Sequence, residues 1–297
     1  MLLQTVELNA SLEVVADIGN DLGEGPIWDD VTGTLVFVDS NIGRVHRFDP
    51  ATGGVSHVDV GPVIGAAIPR RSGGMVASSI DGLLAVTPAG GTRLLVPIEQ
   101  DKPNHRMNDA KCDSRGRLLS GTLSMPFERG ASALYRVDPD LSLHHVLPGV
   151  TVSNGIAWSP DETRLYYVDT STRGIDCFDY DIETGEISGR RRFVDVDRAD
   201  GFPDGITVDA EGHVWLALYK GGKVNRYDPA GRLVGQVTLP VTCVTSCNFG
   251  GEGLKDLYIT TARHGLSEEE LAGQPHAGAL FRCRPGVSGL PSYFFAG

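Results

Sequence analysis

A short apolar strand running into an aspartate or proline turn recurs six times along this chain, and that repeat limits the fold more than any other feature. The copies are Gly43–Pro50 (GRVHRFDP), Asp81–Pro88 (DGLLAVTP), Ser132–Pro139 (SALYRVDP), Arg173–Asp179 (RGIDCFD), Gly222–Pro229 (GKVNRYDP) and Gly278–Pro285 (GALFRCRP). Val45, Leu83, Leu134, Ile175, Val224 and Leu280 mark one position in each, at separations of 38, 51, 41, 49 and 56 residues. Apolar and polar residues alternate within the unit, the period of a half-buried strand. A second unit precedes each copy and reads as strand, tight turn, strand. Its clearest forms are Gly155–Asp161 leading to Leu165–Asp169, and Gly205–Gly212 leading to Val214–Ala217; weaker ones begin at Gly25, Gly65, Asp109 and Ser246.

Six units of about fifty residues, each with roughly four short strands, match the period of propeller blades. They consume essentially all 297 residues, so the expectation is an all-β six-bladed β-propeller spanning 1–297 as a single domain. The 38 glycines and 17 prolines suit a chain with this many turns and argue against a helical bundle. Ser267–Glu270 is the one good helix start, with a Ser-x-x-Glu capping box, and reads as an insertion between strands. Ring closure is expected to pair Glu13–Asp17 with the last blade near Tyr293–Ala296.

Composition removes several functions. A net charge of −12 gives no electrostatic case for nucleic acid. No apolar run approaches membrane-spanning length, and Gly61–Pro69, the nearest, is too short. The start, Met1–Asn9, has no basic n-region and carries Glu7, so the expectation is a cytoplasmic protein without a secretory signal. In that setting the Asn9-Ala10-Ser11 sequon is accidental. Cys112, Cys177, Cys243, Cys247 and Cys283 have no Cys-x-x-Cys or zinc-finger spacing and are expected to be reduced, partly buried thiols.

The repeat register also nominates a site. Glu24, Asn108, Asn154 and Asp204 each stand four positions before the equivalent residues Trp28, Cys112, Trp158 and Val208, and Ile64 and Thr245 fill that place in the other two blades. Rotation about a propeller axis brings equivalent positions to one end of the central channel. Taken singly, Asn154-Gly155 and Asp204-Gly205 are ordinary turn formers, and Glu24 between two glycines suits a solvated loop. As a phased set, they gather two carboxylates and two amides at one spot. Two such carboxylates without a counterion raise each other's pKa, and a divalent cation resolves the conflict. All-oxygen ligation favours calcium, magnesium or manganese, and zinc also accepts carboxylates.

The same residues carry a resemblance. Leu22–Asp29 (LGEGPIWD), Arg106–Asp113 (RMNDAKCD) with Gly116-Arg117, Ser153–Trp158 (SNGIAW), Phe178–Asp181, Pro203–Gly205, Thr245–Gly251 (TSCNFGG) and Tyr293–Gly297 resemble, in order, the SMP-30/gluconolactonase family that contains regucalcin. The resemblance runs from about residue 12 to the end. It implies a six-bladed propeller with one divalent metal ion held by Glu24, Asn154 and Asp204, and hydrolysis of a sugar-acid lactone as its small-molecule substrate. It further implies that Arg106 holds substrate hydroxyls, with Asn108 at the metal region or the substrate. On this scheme Asp204 is the general base toward water. His105 adjoins the site as a bystander. The chain departs from the pattern after Gly121-Thr122, where some members carry acidic residues and this one has Leu123, Ser124, Met125 and Pro126. That departure leaves the choice between five- and six-carbon lactones open. A calcium-binding regulatory propeller without catalysis, and an ester or organophosphate hydrolase on the same scaffold, are the alternatives. No Gly-x-Ser-x-Gly elbow is present for a serine esterase.

Overall fold

The computed structural model describes residues 5–8 and 11–297; Asn9 and Ala10 of the sequon fall outside that range. Strands form six antiparallel sheets, each a blade. Blade one runs from Gly23–Asp29 to Gly54–Asp59, blade two from Ile64–Pro69 to Thr92–Pro97, and blade three from His105–Cys112 to Leu143–Val150. Blade four runs from Ser153–Trp158 to Glu186–Asp195, and blade five from Phe202–Val208 to Leu233–Thr238. Blade six takes Val244–Gly250, Asp256–Thr261 and Leu280–Cys283 from the end of the sequence and Glu13–Ala16 from its beginning. The first strand of each blade packs on that of the next, and the sixth on the first, so six inner strands close a ring.

The strands form where the repeat predicts them, and burial explains their composition. Second strands such as Thr34–Asp39 and Val214–Tyr219 lie between neighbouring blades and are covered on both faces, so they read as nearly continuous apolar runs. Outer strands such as Glu186–Asp195 keep one face in solvent and carry Arg190, Arg191 and Arg192, which pair with Asp176 and Asp179 on the adjacent strand. Aromatic pairs reinforce the core: Trp28 stacks on Tyr258 across blades one and six at 6.1 Å, and Trp215 meets Phe249 edge-on at 5.7 Å. At the ends of inner strands, Asp29, Asp113 and Asp209 bind an arginine each (Arg47, Arg117 and Arg226) and tie down the turn that follows.

Ring closure corrects one expectation. Glu13–Ala16 does complete the last blade, but its partner is Leu280–Cys283, with Val14 opposite Phe281. Tyr293–Ala296 does something else. The chain after Gly289, which bridges to Asp209, crosses the lower end of the channel to blades two and three. There Phe295 donates its N–H to Pro69 O at 3.0 Å and Ala296 its N–H to Gly116 O at 3.0 Å. Phe295 is fully buried, so the segment is a plug held by its aromatic ring. A second addition was not foreseen: Val6–Glu7 lies parallel to Leu233–Thr238 as a fifth strand on blade five. The helix is Glu268–Ala272, capped by Ser267 through a complete capping box, in the connection between the second and third strands of blade six. All five cysteines are free and buried. Among the described residues no helix is long and apolar enough to cross a membrane.

Candidate functional site

Each inner strand loses register with its neighbour near its entrance to the channel. The breaks fall between Glu24 and Ile27, Ile64 and Ala67, Met107 and Ala110, Ser153 and Ile156, Pro203 and Ile206, and Val244 and Ser246. A bulge bends a strand and re-aims the side chains within it. Here the bulges coincide with the six phased positions, so Glu24, Ile64, Asn108, Asn154, Asp204 and Thr245 stand at one end of the channel. Glycines make the tight ring possible. A Cβ on Gly155 would lie 2.7 Å from Asp204 O, and one on Gly205 would lie 2.1 Å from Ser246 Oγ. Neighbouring inner strands therefore approach to a distance that any side chain would prevent.

The hydrogen bonds fix which way both amides point. Thr170 gives its hydroxyl proton to Pro203 O at 2.9 Å, so it accepts from Asn154, whose Nδ2 lies 3.0 Å away. The Asn154 carbonyl oxygen is left with one long contact, 3.4 Å from Asn108 Nδ2. Asn108 is committed on both sides: its oxygen accepts from Arg106 Nη1 at 2.8 Å and its NH2 donates to Ser153 O at 2.8 Å. Its oxygen is thus already taken by the guanidinium. Asp204 Oδ1 is buried and has no hydrogen-bond partner.

The electrostatics follow from this crowding. Burial, then the Asp109 carboxylate, push the Glu24 carboxyl up to about 8, against the Gly25 N–H and the Arg106 guanidinium. Burial pushes Asp204 well above the usual carboxylate range; Glu24 and Asp109 add to that, and the nearby Asn154 amide opposes it. Burial also lowers the Arg106 guanidinium, and Glu24 raises it in return. Two buried carboxyls that resist ionisation, Asp204 in part because of Glu24, together with an orphaned carboxylate oxygen and an amide oxygen with almost no partner, form a donor set suited to a hard cation.

Sequence reasoning therefore placed Glu24, Asn108, Asn154, Asp204 and Arg106 in one neighbourhood. His105 is turned away: its Nδ1 lies 2.8 Å from Glu99, which also holds Lys102 and the Tyr135 hydroxyl. Three groups were overlooked. Asp109 and Lys111 sit on the inner strand of blade three, where Lys111 Nζ reaches Ile206 O at 2.9 Å on blade five. The signal was available as two charges, two residues apart, in a strand that alternates them with buried Ala110 and Cys112. Tyr219 was also missed; its hydroxyl donates to His264 O at 2.7 Å, and its phenol is pushed up by burial and Cys243, with smaller contributions from Asp204 and Glu24. The departure after Gly121-Thr122 has a clear consequence. Leu123 pairs with Arg106 and is buried, while Met125 and Phe127 are exposed, so no carboxylate stands there. Phe202, two residues before Asp204, is exposed and lies under the Arg173 guanidinium at 4.7 Å.

Among the described residues one further group of ligand-bearing side chains, Asp209, Glu211 and His213, lies at the opposite end of the blade-five inner strand. Arg226 pairs with both carboxylates, at 2.7 Å and 2.6 Å, and Trp215 Nε1 donates to Asp209 at 2.9 Å. Those oxygens are spent on the turn.

Comparison with known proteins agrees with this geometry. Residues 22–263 match the family described as SMP-30/Gluconolactonase/LRE-like region. Regucalcin of Xenopus laevis is 38% identical over 294 residues, covering 96% of this chain and 98% of its own. Among solved structures, a calcium-binding protein, regucalcin, from Agrobacterium tumefaciens superposes with a TM-score of 0.93 at 29% identity, covering 99% of both chains. A luciferin-regenerating enzyme superposes with a TM-score of 0.88 at 29% identity, covering 95% of this chain and 97% of the other. The ordered motifs, the six-bladed ring and these near full-length matches agree: the chain belongs to the SMP-30/gluconolactonase/LRE-like family.

Proposed function

We propose that this propeller is a divalent-metal-dependent lactonase that opens the ring of a sugar-acid lactone. The observation that carries the reading is the buried pair Glu24 and Asp204, both raised by burial and by Asp109 and the second also by the first, beside the unpartnered oxygen of Asp204 and the nearly free oxygen of Asn154. Glu24, Asn154 and Asp204 would hold the ion. When bound, it supplies Lewis-acid polarisation of the lactone carbonyl and a lowered pKa for nearby water. Asp204 takes a proton from the attacking water through its unpartnered oxygen. Arg106 presents its planar fork to paired hydroxyls on the sugar acid, with Asn108 locking one arm of it. Water adds to the carbonyl carbon, the ring C–O bond breaks, and the ring oxygen takes the proton back from Asp204 to become the new hydroxyl of an open-chain acid.

Substrate choice follows from the wall beside Arg106. With Met125, Pro126 and Phe127 where a carboxylate would otherwise bind a hydroxyl, recognition rests on Arg106 at that side, which accommodates five-carbon as well as six-carbon aldonolactones. The test is pH-stat hydrolysis of gluconolactone and five-carbon aldonolactones, corrected for spontaneous opening, with metal, with EDTA, and after metal is restored. Hydrolysis lost in EDTA and recovered on addition supports the proposal. Metal binding without hydrolysis of any lactone in the panel would favour a calcium-binding propeller without catalysis. Preference for aryl esters or phosphotriesters would favour another hydrolase on this scaffold.

A further inference from the structure

Asp109 and Lys111 put two opposite charges inside the channel, below the candidate site. Burial raises the Asp109 carboxyl and lowers the Lys111 ammonium, and each is opposed by the charge of the other, with no direct hydrogen bond between them. Between them lies a void of about 10 Å³, lined also by Gly25, Ile68, Ile206 and Ser246. That is room for about one water molecule. Lys111 spends one N–H on Ile206 O, leaving donors for the void, and Asp109 Oδ1 accepts from Ala110 N at 2.8 Å. The Lys111 side chain spans from blade three to blade five, so it crosses the channel rather than lining one wall.

The charge of Asp109 reaches upward. It is among the causes that raise both Glu24 and Asp204. Three carboxylates thus converge on the upper channel, faced by the two cations Arg106 and Lys111. We propose that Asp109 and Lys111 form a water-bridged ion pair that sets the charge of the face above it, and with it the affinity of Glu24, Asn154 and Asp204 for a divalent cation. This inference rests on the metal reading given above. Lys111 is a positioning residue, acting through Asp109. Its ammonium cancels a carboxylate that would otherwise draw cations more strongly, while Asp109 shields the site from that ammonium.

The two halves of the pair therefore act in opposite directions. Within a protein, a unit charge roughly 10 Å from a dication is worth more than a factor of ten in binding. The experiment titrates calcium, and separately zinc, into metal-free full-length protein by calorimetry at fixed ionic strength. Lys111→Met is expected to tighten binding at least about tenfold, Asp109→Asn to weaken it at least about tenfold, and the double variant to return near wild type. Thermal melts of the metal-free forms check folding, and Lys111→Gln replaces Lys111→Met should the latter not fold. A merely structural pair would lower melting temperatures and leave affinity within about twofold, or weaken it in both single variants; either result overturns the inference. If wild type binds neither ion, the metal reading fails first and takes this inference with it.

Discussion

Replacing Glu24 by glutamine keeps the shape of the side chain and removes its charge, which separates electrostatic cost from packing. In the folded chain without metal, the Glu24 carboxyl titrates at about 8, against 4.5 in an unfolded one. The sign follows from proton counts. Between those values the folded state holds a proton that the unfolded state has released, so stability is fully present below 4.5 and declines as pH rises to 8. At 1.36 kcal/mol per pH unit, the loss from this group is about 3 kcal/mol at pH 7 and approaches about 5 kcal/mol above pH 9. Glu24→Gln has no such slope. Urea unfolding of EDTA-treated wild type and variant at pH 5, 7 and 9 should give curves that diverge with pH, the variant being the more stable at the alkaline end. The difference between the two proteins cancels the titrating groups that do not interact with Glu24; the relief of Asp204 in the variant acts in the same direction. In saturating divalent cation the ordering should invert, because only wild type gains the binding free energy. Parallel curves in EDTA would refute the claim that Glu24 is held against an uncompensated carboxylate cluster.

Three other outcomes are expected. Asp204→Ala should reduce lactone hydrolysis at least a hundredfold, with far-UV circular dichroism unchanged, since its carboxylate is needed by both proton transfer and ligation. Asp113→Ala should cost about 3–5 kcal/mol in urea unfolding, because it strands the buried Arg117 guanidinium and the Tyr180 hydroxyl, which bind Asp113 at 2.6 Å and 2.7 Å. His46 is buried against Phe37 and titrates at about 4 rather than 6.5. Its contribution is present above pH 6.5 and lost as pH falls toward 4, about 3 kcal/mol in all, so a His46→Phe variant should show a shallower acid limb than wild type.

How far the fold was legible depends on which constraint is local. Six strand-and-turn units repeat because each blade faces the same packing problem, and a period that recurs survives in the residues themselves: Val45, Leu83, Leu134, Ile175, Val224 and Leu280 all lie on third strands, and all are buried. Closure is different, because it depends on what the last strand leaves unpaired. Glu13–Ala16 is a short β-branched run and found the right blade, yet nothing in Tyr293–Ala296 distinguishes an outer strand from a plug. The apolar cluster in that segment serves the lower mouth of the channel, where Phe295 is buried against blades two and three. Val6–Glu7 is too short for any periodicity to mark it.

The site was legible for a related reason. Equivalent positions in a closed ring must meet, so phasing alone brings Glu24, Asn154 and Asp204 together without any knowledge of distances. Phasing is blind, however, to what occupies the interior below a shared position. In blades one, two, four and five the residue after the phased one is glycine, which lets neighbouring strands close up; in blade three it is Asp109, and in blade six Ser246. A void is left where those two interrupt the glycine ring, and Lys111 turns into it. Asp109 and Lys111 are thus what distinguishes blade three from its repeats, and a comparison built on similarity between blades passes over them. The departure from symmetry gives the channel its internal charge, so cation affinity is expected to depend on a blade whose own phased residue, Asn108, already accepts from the Arg106 guanidinium.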